Sequence, residues 1–220
     1  AAAPHVIWHP GWMTSRYGDS FQVARTALVI TALLGGVGVK GGIVPGRTPK
    51  ECGKAGLKKF TDLFPAPKGL RADGLGVDNK AFDPGKGLLH KAFEAISNPP
   101  QGAAPVKAYM CWRHDPLQGY PDPDALRKRF DGLDLLVSVT FSWSDTAWYS
   151  DVVLPLSTYL SRESIIATKN GLKPQFFVRN RVIPPRYDTK ADWEIIGGLA
   201  KRLGLDPLVF ESAEDVWRFQ

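Results

Sequence analysis

Leu135 to Val139 is a short, nearly unbroken apolar run rich in β-branched residues, and it constrains the fold more than any other stretch. Such a run suits a strand buried on both faces, as in a parallel sheet covered by helices. At Thr140 the run stops, and Phe141, Ser142, Ser144, Asp145 and Thr146 follow within six positions. A second short run, Val152 to Leu154, begins after Asp151 and ends at Pro155. Parallel sheets bind ligands at the carboxyl ends of their strands, where the connections diverge. Hydroxyls and a carboxylate just past a buried strand are therefore placed to hold a polar ligand.

A matching unit lies upstream. Pro105 to Trp112 reads as a strand, and Arg113-His-Asp115-Pro-Leu-Gln118 follows it. Asp122 and Pro123 open a helix, since Asp caps well and Pro is tolerated in the first turn. Ala125, Leu126, Phe130 and Leu133 form its apolar face. Together with the Leu135 strand this makes a strand–helix–strand unit, whose crossover is right-handed by rule. The fold class is therefore α/β, with a parallel sheet in Rossmann-like dinucleotide-binding layers. The loops Asp115–Gln118 and Ser144–Thr146 are expected side by side at adjacent strand ends. Asp151 is expected to be buried and hydrogen-bonded, or to meet a ligand.

The flanks are less regular. Pro4 to His9 reads as a short buried strand broken by Pro10-Gly11. A helix is expected from Phe21 to about Leu34, capped by Asp19 or Ser20, with Val23, Ala27, Ile30 and Leu34 inward. Gly36-Val-Gly38-Val-Lys-Gly41 satisfies GxGxxG, yet a dinucleotide fingerprint needs a strand before it and a helix after. Here a helix precedes it, so a helix C-cap and turn is the better reading. Thr48 to Gly87 is a long Gly-, Pro- and Lys-rich connection with one short helix near Leu57 to Leu63, and another helix runs from Leu88 to Ile96. Phe176–Val178 and Val182–Ile183 read as strands, and Thr189 with Asp192 as a capping box. The last helix is expected to bury Trp193, Ile196, Leu199, Ala200 and Leu203 and to stop at Gly204.

Net charge is +6, and residues 1–120 hold 15 Lys+Arg against 8 Asp+Glu, so the whole excess sits in the first half. That asymmetry fits a phosphate-bearing ligand, an acidic neighbour or a solvated basic face. Cys52 and Cys111 stand apart, without metal-ligand spacing. No apolar run approaches the roughly 20 residues needed to cross a bilayer. The opening AAAPHVIW and the close at Gln220 read as cut ends, so the chain is expected to be a segment of a larger polypeptide.

Ser144, Thr146 and Ala147, then Ser150-Asp151-Val-Val-Leu-Pro155, resemble a signature of the prokaryotic molybdopterin oxidoreductases, the dimethyl sulfoxide reductase superfamily. Asp115-Pro-Leu-Gln118, the glycines from Gly36, Tyr159 to Gln175 and the Asp188 to Gly204 segment are similar to further motifs of that family. Ser161 stands where the family often has an acid, and Thr140 where it often has Asp. The resemblance implies a bis-molybdopterin guanine dinucleotide cofactor carrying molybdenum, with a 4Fe-4S cluster in an amino-terminal part outside this chain. It implies cofactor-binding roles for Trp112, Asp115, Pro116, Leu117, Gln118, Thr140, Phe141, Ser144, Thr146 and Asp151, and an active-site role for Arg47. No metal-ligating residue is assigned within the chain.

The wording around His9-Pro-Gly-Trp and Pro174-Gln-Phe-Phe is nearest the polysulfide, thiosulfate or tetrathionate reductases. That branch implies a small anionic substrate, an iron–sulfur electron-transfer subunit, a membrane anchor subunit and an extracytoplasmic or periplasmic site. On this reading residues 1–50 end one cofactor-binding domain, 51–104 connect, 105–160 form a second α/β unit and 161–220 pack on the core. Two other readings stay open: a nicotinamide-dependent Rossmann dehydrogenase, resting on GxGxxG alone, and a basic nucleic-acid module. No recognition motif supports the latter, and the seven Trp are scattered among apolar positions.

Overall fold

The computed structural model describes residues 3–8, 20–44, 46, 48–53, 55–65, 69–73, 89–171 and 173–220. In chain order the helices are α1 (Ser20–Leu33), α2 (Leu89–Ser97), α3 (Pro116–Gly119), α4 (Pro123–Phe130), α5 (Asp145–Tyr149), α6 (Asp192–Leu203) and α7 (Ala213–Phe219). The strands are β1 (Ala108–Trp112), β2 (Leu135–Thr140), β3 (Val152–Pro155), β4 (Ala167–Lys169) and β5 (Gln175–Phe177). Contacts divide the chain into two units: 1–58 with 166–178 and 220, and 59–165 with 179–219.

In the larger unit β1, β2 and β3 form a parallel sheet in that order, with β2 central. Met110 pairs with Val137, and Val137 in turn with Val152. Alternation along β2 sends its side chains to two separate cores. Leu136 joins Phe93, Leu117, Leu126 and Phe130 on one face, while Val137 and Val139 join Leu156 and Ile195 on the other. The sheet is thus covered on both sides, and the near-continuous apolar run of β2 is explained. Phe93 makes edge-on ring contacts with Tyr109, Tyr120 and Phe130 at 5.3, 5.0 and 5.8 Å. Emptying such a site by Phe→Ala costs about 3–5 kcal/mol in comparable cores.

Asp122 caps α4, accepting from the Ala125 N–H at 3.0 Å with Pro123 in the first turn. Ser144 caps α5 in the same way, through the Ala147 N–H. At α6 the expected Thr189–Asp192 capping box does not form. Glu194 instead accepts from the Ala191 N–H at 2.6 Å, and the Asp192 side chain turns to other partners. The buried residues of α6 are Ile195, Gly197 and Ala200, a stripe rotated from the one expected; Ile196 and Leu203 are exposed. Gly204, at φ 69°, ends the helix as expected.

In the smaller unit β4 and β5 form an antiparallel pair. The helix α1 ends where expected, and Gly35, Gly38 and Gly41 take positive φ in the turn beyond it. Val37 bridges Ile43, with Gly38 N–H donating to Ile43 O. The GxGxxG spacing therefore belongs to the end of α1, a helix where a dinucleotide turn needs a strand. Two expected strands do not form. Residues 3–8 are turn and irregular backbone with Ile7 and Trp8 exposed, and Val182–Ile183 is irregular, its two N–H groups donating to Leu160 O. The α1 face of Val23, Ile30 and Leu34 is exposed rather than buried.

Asp151 is hydrogen-bonded as expected but corrects the expected burial. It is exposed, and it lies before β3 at the amino edge of the sheet, opposite the strand ends that carry the other candidates. Its Oδ2 accepts from the Leu136 N–H at 2.7 Å, and its own N–H donates to Leu136 O at 3.0 Å. This reciprocal pair sets the register of β3 against β2. Asp151→Asn keeps an acceptor and is expected to leave the denaturation midpoint nearly unchanged. Asp151→Ala removes it and is expected to destabilise by about 1 kcal/mol in urea unfolding.

Candidate functional site

The carboxyl ends of β1 and β2 carry the site. After β1 the chain turns through Arg113, at φ 52°, and reaches Asp115, which precedes α3. After β2 it passes Thr140 and Phe141 and enters α5 at Asp145. The two connections are tied by three hydrogen bonds. Asp115 Oδ1 accepts from the Thr146 N–H at 3.1 Å and from the Thr146 hydroxyl at 2.5 Å. Thr146 Oγ1 accepts in turn from the Leu117 N–H at 3.1 Å. The loops Asp115–Gln118 and Ser144–Thr146 lie side by side, as their place after adjacent strands predicted.

The arrangement also assigns tasks. Thr146 is 0% exposed, and its N–H, its O–H and one oxygen lone pair are all engaged. It fixes the carboxylate of Asp115. Pro116 and Leu117 are likewise buried and position α3, while Gln118 is exposed. The Thr140 hydroxyl bonds Ser142 O at 2.8 Å. Trp112, half-buried, donates its indole N–H to Asp192 Oδ1 at 2.6 Å. Arg47 lies outside the described residues.

Beside these loops a cleft of about 190 Å³ opens at the ends of β2 and β3, lined by Thr140, Phe141, Ser142, Trp143, Pro155 and Thr189 among others. Trp143 and Trp148 stack at 4.8 Å between centroids, and Phe141 leans on Tyr159 at 6.4 Å. Exposed rings beside hydroxyls suit a flat, polar ligand. Under the loops, Cys111 donates its S–H to His114 O at 2.6 Å. Burial raises its thiol pKa to about 11, with the nearby Asp115 charge adding to the rise. A thiol so held stays protonated near neutrality, which disfavours a nucleophilic role.

The sequence reading missed Arg162 and the role of Asp192. Arg162 is 0% exposed, and its Nη1 lies 2.9 Å from Asp192 Oδ2. Burial lowers its pKa, with Asp192 opposing that shift. Trp112 and Asp192 are 80 positions apart, a separation that leaves no local pattern to read.

Known proteins show the same assignment over most of the chain. The molybdopterin oxidoreductase family profile matches residues 7–202. The chain belongs to the molybdopterin oxidoreductase family. It is 29% identical over 213 residues to the thiosulfate reductase molybdopterin-containing subunit PhsA of Salmonella typhimurium, covering 93% of this chain and 28% of that protein. It is 31% identical over 225 residues to formate dehydrogenase H of Escherichia coli, covering 99% and 30%. With a trimethylamine-N-oxide reductase of Haemophilus influenzae it shares 24% over 230 residues, covering 94% and 26%. The chain thus spans under a third of the length of these relatives.

Thr146→Val keeps shape but removes the hydroxyl. The buried Leu117 N–H then lacks an acceptor and Asp115 loses a donor, so a loss of about 1–3 kcal/mol is expected in denaturant unfolding. An unchanged midpoint would show that the two strand-end loops are independent.

Proposed function

We propose that the chain is part of the catalytic subunit of a molybdenum oxidoreductase and holds the guanine dinucleotide portion of a bis-molybdopterin cofactor. The observation that carries this reading is the pairing of Asp115 with Thr146 at adjacent parallel strand ends, within the matched family segment. The residues fit such a group. One carboxylate oxygen is committed to Thr146, which leaves Oδ2, held in place by that pairing, to accept a charge-assisted N–H from a guanine edge. Gln118, Thr140 and Phe141 flank it as contact residues. Ser144 spends its oxygen on the α5 cap and contributes position, as do Trp112, Pro116, Leu117 and Thr146. Asp151, at the opposite edge, is assigned to strand alignment.

Bound there, the molybdenum and its pterins supply two-electron redox chemistry, while the protein supplies position and electrostatics. For the substrate we favour a small anionic sulfur compound, a sulfur oxyanion or polysulfide. The likeness to a thiosulfate reductase subunit and the local wording of the chain support that class. Arg47 is proposed to face this anion, its planar guanidinium holding charge and geometry together. A 4Fe-4S cluster upstream, an iron–sulfur partner subunit, a membrane anchor subunit and a periplasmic or other extracytoplasmic site complete the proposal. They rest on family resemblance; the relative's own description as a molybdopterin-containing subunit agrees with a multisubunit enzyme. Among the described residues no helix is long and apolar enough to cross a membrane.

The test uses the full-length subunit, with molybdenum and released guanine nucleotide measured beside turnover. Asp115→Ala removes a charged acceptor worth about 1.5–3 kcal/mol, so cofactor affinity should fall roughly ten- to a hundredfold. Asp115→Asn, which keeps one acceptor, should retain more. Normal cofactor content in both variants would sink the assignment. Arg47→Ala should keep molybdenum and lose turnover of the anion, and normal turnover at full loading would remove Arg47 from the site.

A further inference from the structure

Around Asp192 the charges do not balance. Arg162 Nη1 lies 2.9 Å from Asp192 Oδ2, and Arg113 Nη2 lies 3.8 Å from Asp192 Oδ1. Arg179 is close enough for its charge, with that of Arg113, to press on Arg162. Three guanidiniums thus meet one carboxylate, at the first residue of the 12-residue helix α6. A helix amino terminus carries partial positive charge of its own and disfavours cations.

The hydrogen-bond inventory shows the same imbalance. Arg162 is 0% exposed, yet its Nε, Nη1 and Nη2 all lack a hydrogen-bond partner, as does Arg179 Nε. The short approach to Asp192 pairs charges without aligning an N–H on the acceptor. Asp192 also accepts the Trp112 indole at 2.6 Å, so part of its capacity is already used. One ring contacts both guanidiniums. Tyr159 stacks on Arg162 at 5.3 Å and on Arg179 at 4.8 Å, and Tyr159 is itself 56% exposed. Phe141, which leans on Tyr159, lines the cleft at the ends of β2 and β3.

We infer that Arg113, Arg162 and Arg179 form a binding site for a tetrahedral oxyanion, with Asp192 and Tyr159 as its positioning residues. The chemistry selects the ligand. Three guanidiniums less one carboxylate leave two positive charges, which a dianion neutralises. The planar fork of Arg matches the paired oxygens of a phosphate-type group. The anion has two sources: a phosphate of the cofactor proposed above, in which case the inference deepens that reading, or a free oxyanion entering the cleft.

The experiment titrates inorganic phosphate into the cofactor-free, full-length subunit at constant ionic strength, with chloride as the matched control. Thermal midpoint and calorimetric binding are read together. A saturable rise in midpoint with phosphate, absent with chloride, is expected. Arg113→Gln and Arg179→Gln, both at partly exposed residues that the fold tolerates, should each weaken phosphate binding at least about tenfold. A response equal to that of chloride, or one unchanged in both variants, would overturn the site. Repeating the titration on cofactor-loaded enzyme separates the sources: a response lost on loading assigns the site to a cofactor phosphate, and one retained assigns it to a free oxyanion. If the subunit binds no molybdopterin, the earlier proposal fails while the phosphate result on the cofactor-free protein still stands or falls by itself.

Discussion

The carboxylate of Asp115 is the point on which the site depends. Two connections leave adjacent parallel strands, and nothing in the sheet itself requires them to stay together. A single oxygen receiving the Thr146 N–H and O–H does so, with Leu117 N–H closing the triangle. The pairing is charge-assisted and sits beside a fully buried side chain, where such bonds are about twice as strong as neutral ones. It ties the start of α3 to the start of α5 at the carboxyl ends of β1 and β2. Thr146 holds Asp115 through both its N–H and its O–H.

The two edges of the β1–β3 sheet are built differently. At the amino edge Asp151 and Leu136 exchange hydrogen bonds, and the polar groups there are spent on register. At the carboxyl edge polar and aromatic groups are left facing outward or buried without partners. Phe141, Trp143 and Trp148 are exposed, and Arg162 is enclosed with its donors unused. Buried polar groups are normally satisfied, so such exceptions mark places where a fold is arranged around something else. The smaller unit shows an apolar counterpart. α1 is apolar nearly all round, with Phe21 73% and Leu33 82% exposed, the composition of a helix that belongs inside a core.

Much of this was legible in the residues. The β-branched run of β2, the Asp122-Pro123 start of α4 and the Gly204 stop of α6 are local effects. Their causes lie within four positions of one another, so spacing alone reveals them. The family, too, was legible in the strand-end motifs, and the comparisons agree over residues 7–202. The glycine-rich turn after α1 could be separated from a dinucleotide fingerprint because the element before it is a helix, itself a local property.

What only the tertiary structure decided is long-range. Asp192 looks like a helix cap in sequence, but across 80 positions it takes the Trp112 indole and, with it, a buried arginine. Asp151 looks like a ligand residue, and register places it at the amino edge of the sheet, bonded to Leu136. Thr146 carries a hydroxyl that any motif would count as available, and packing consumes it. The stripe of α6 turned by one residue, since the face that is buried follows from how the helix meets β2 and β3 rather than from its own periodicity. Local chemistry determined the elements and their ends. Which polar atoms remain free for a ligand was decided by neighbours distant in sequence, because a hydrogen bond once made between such neighbours is no longer available to anything else.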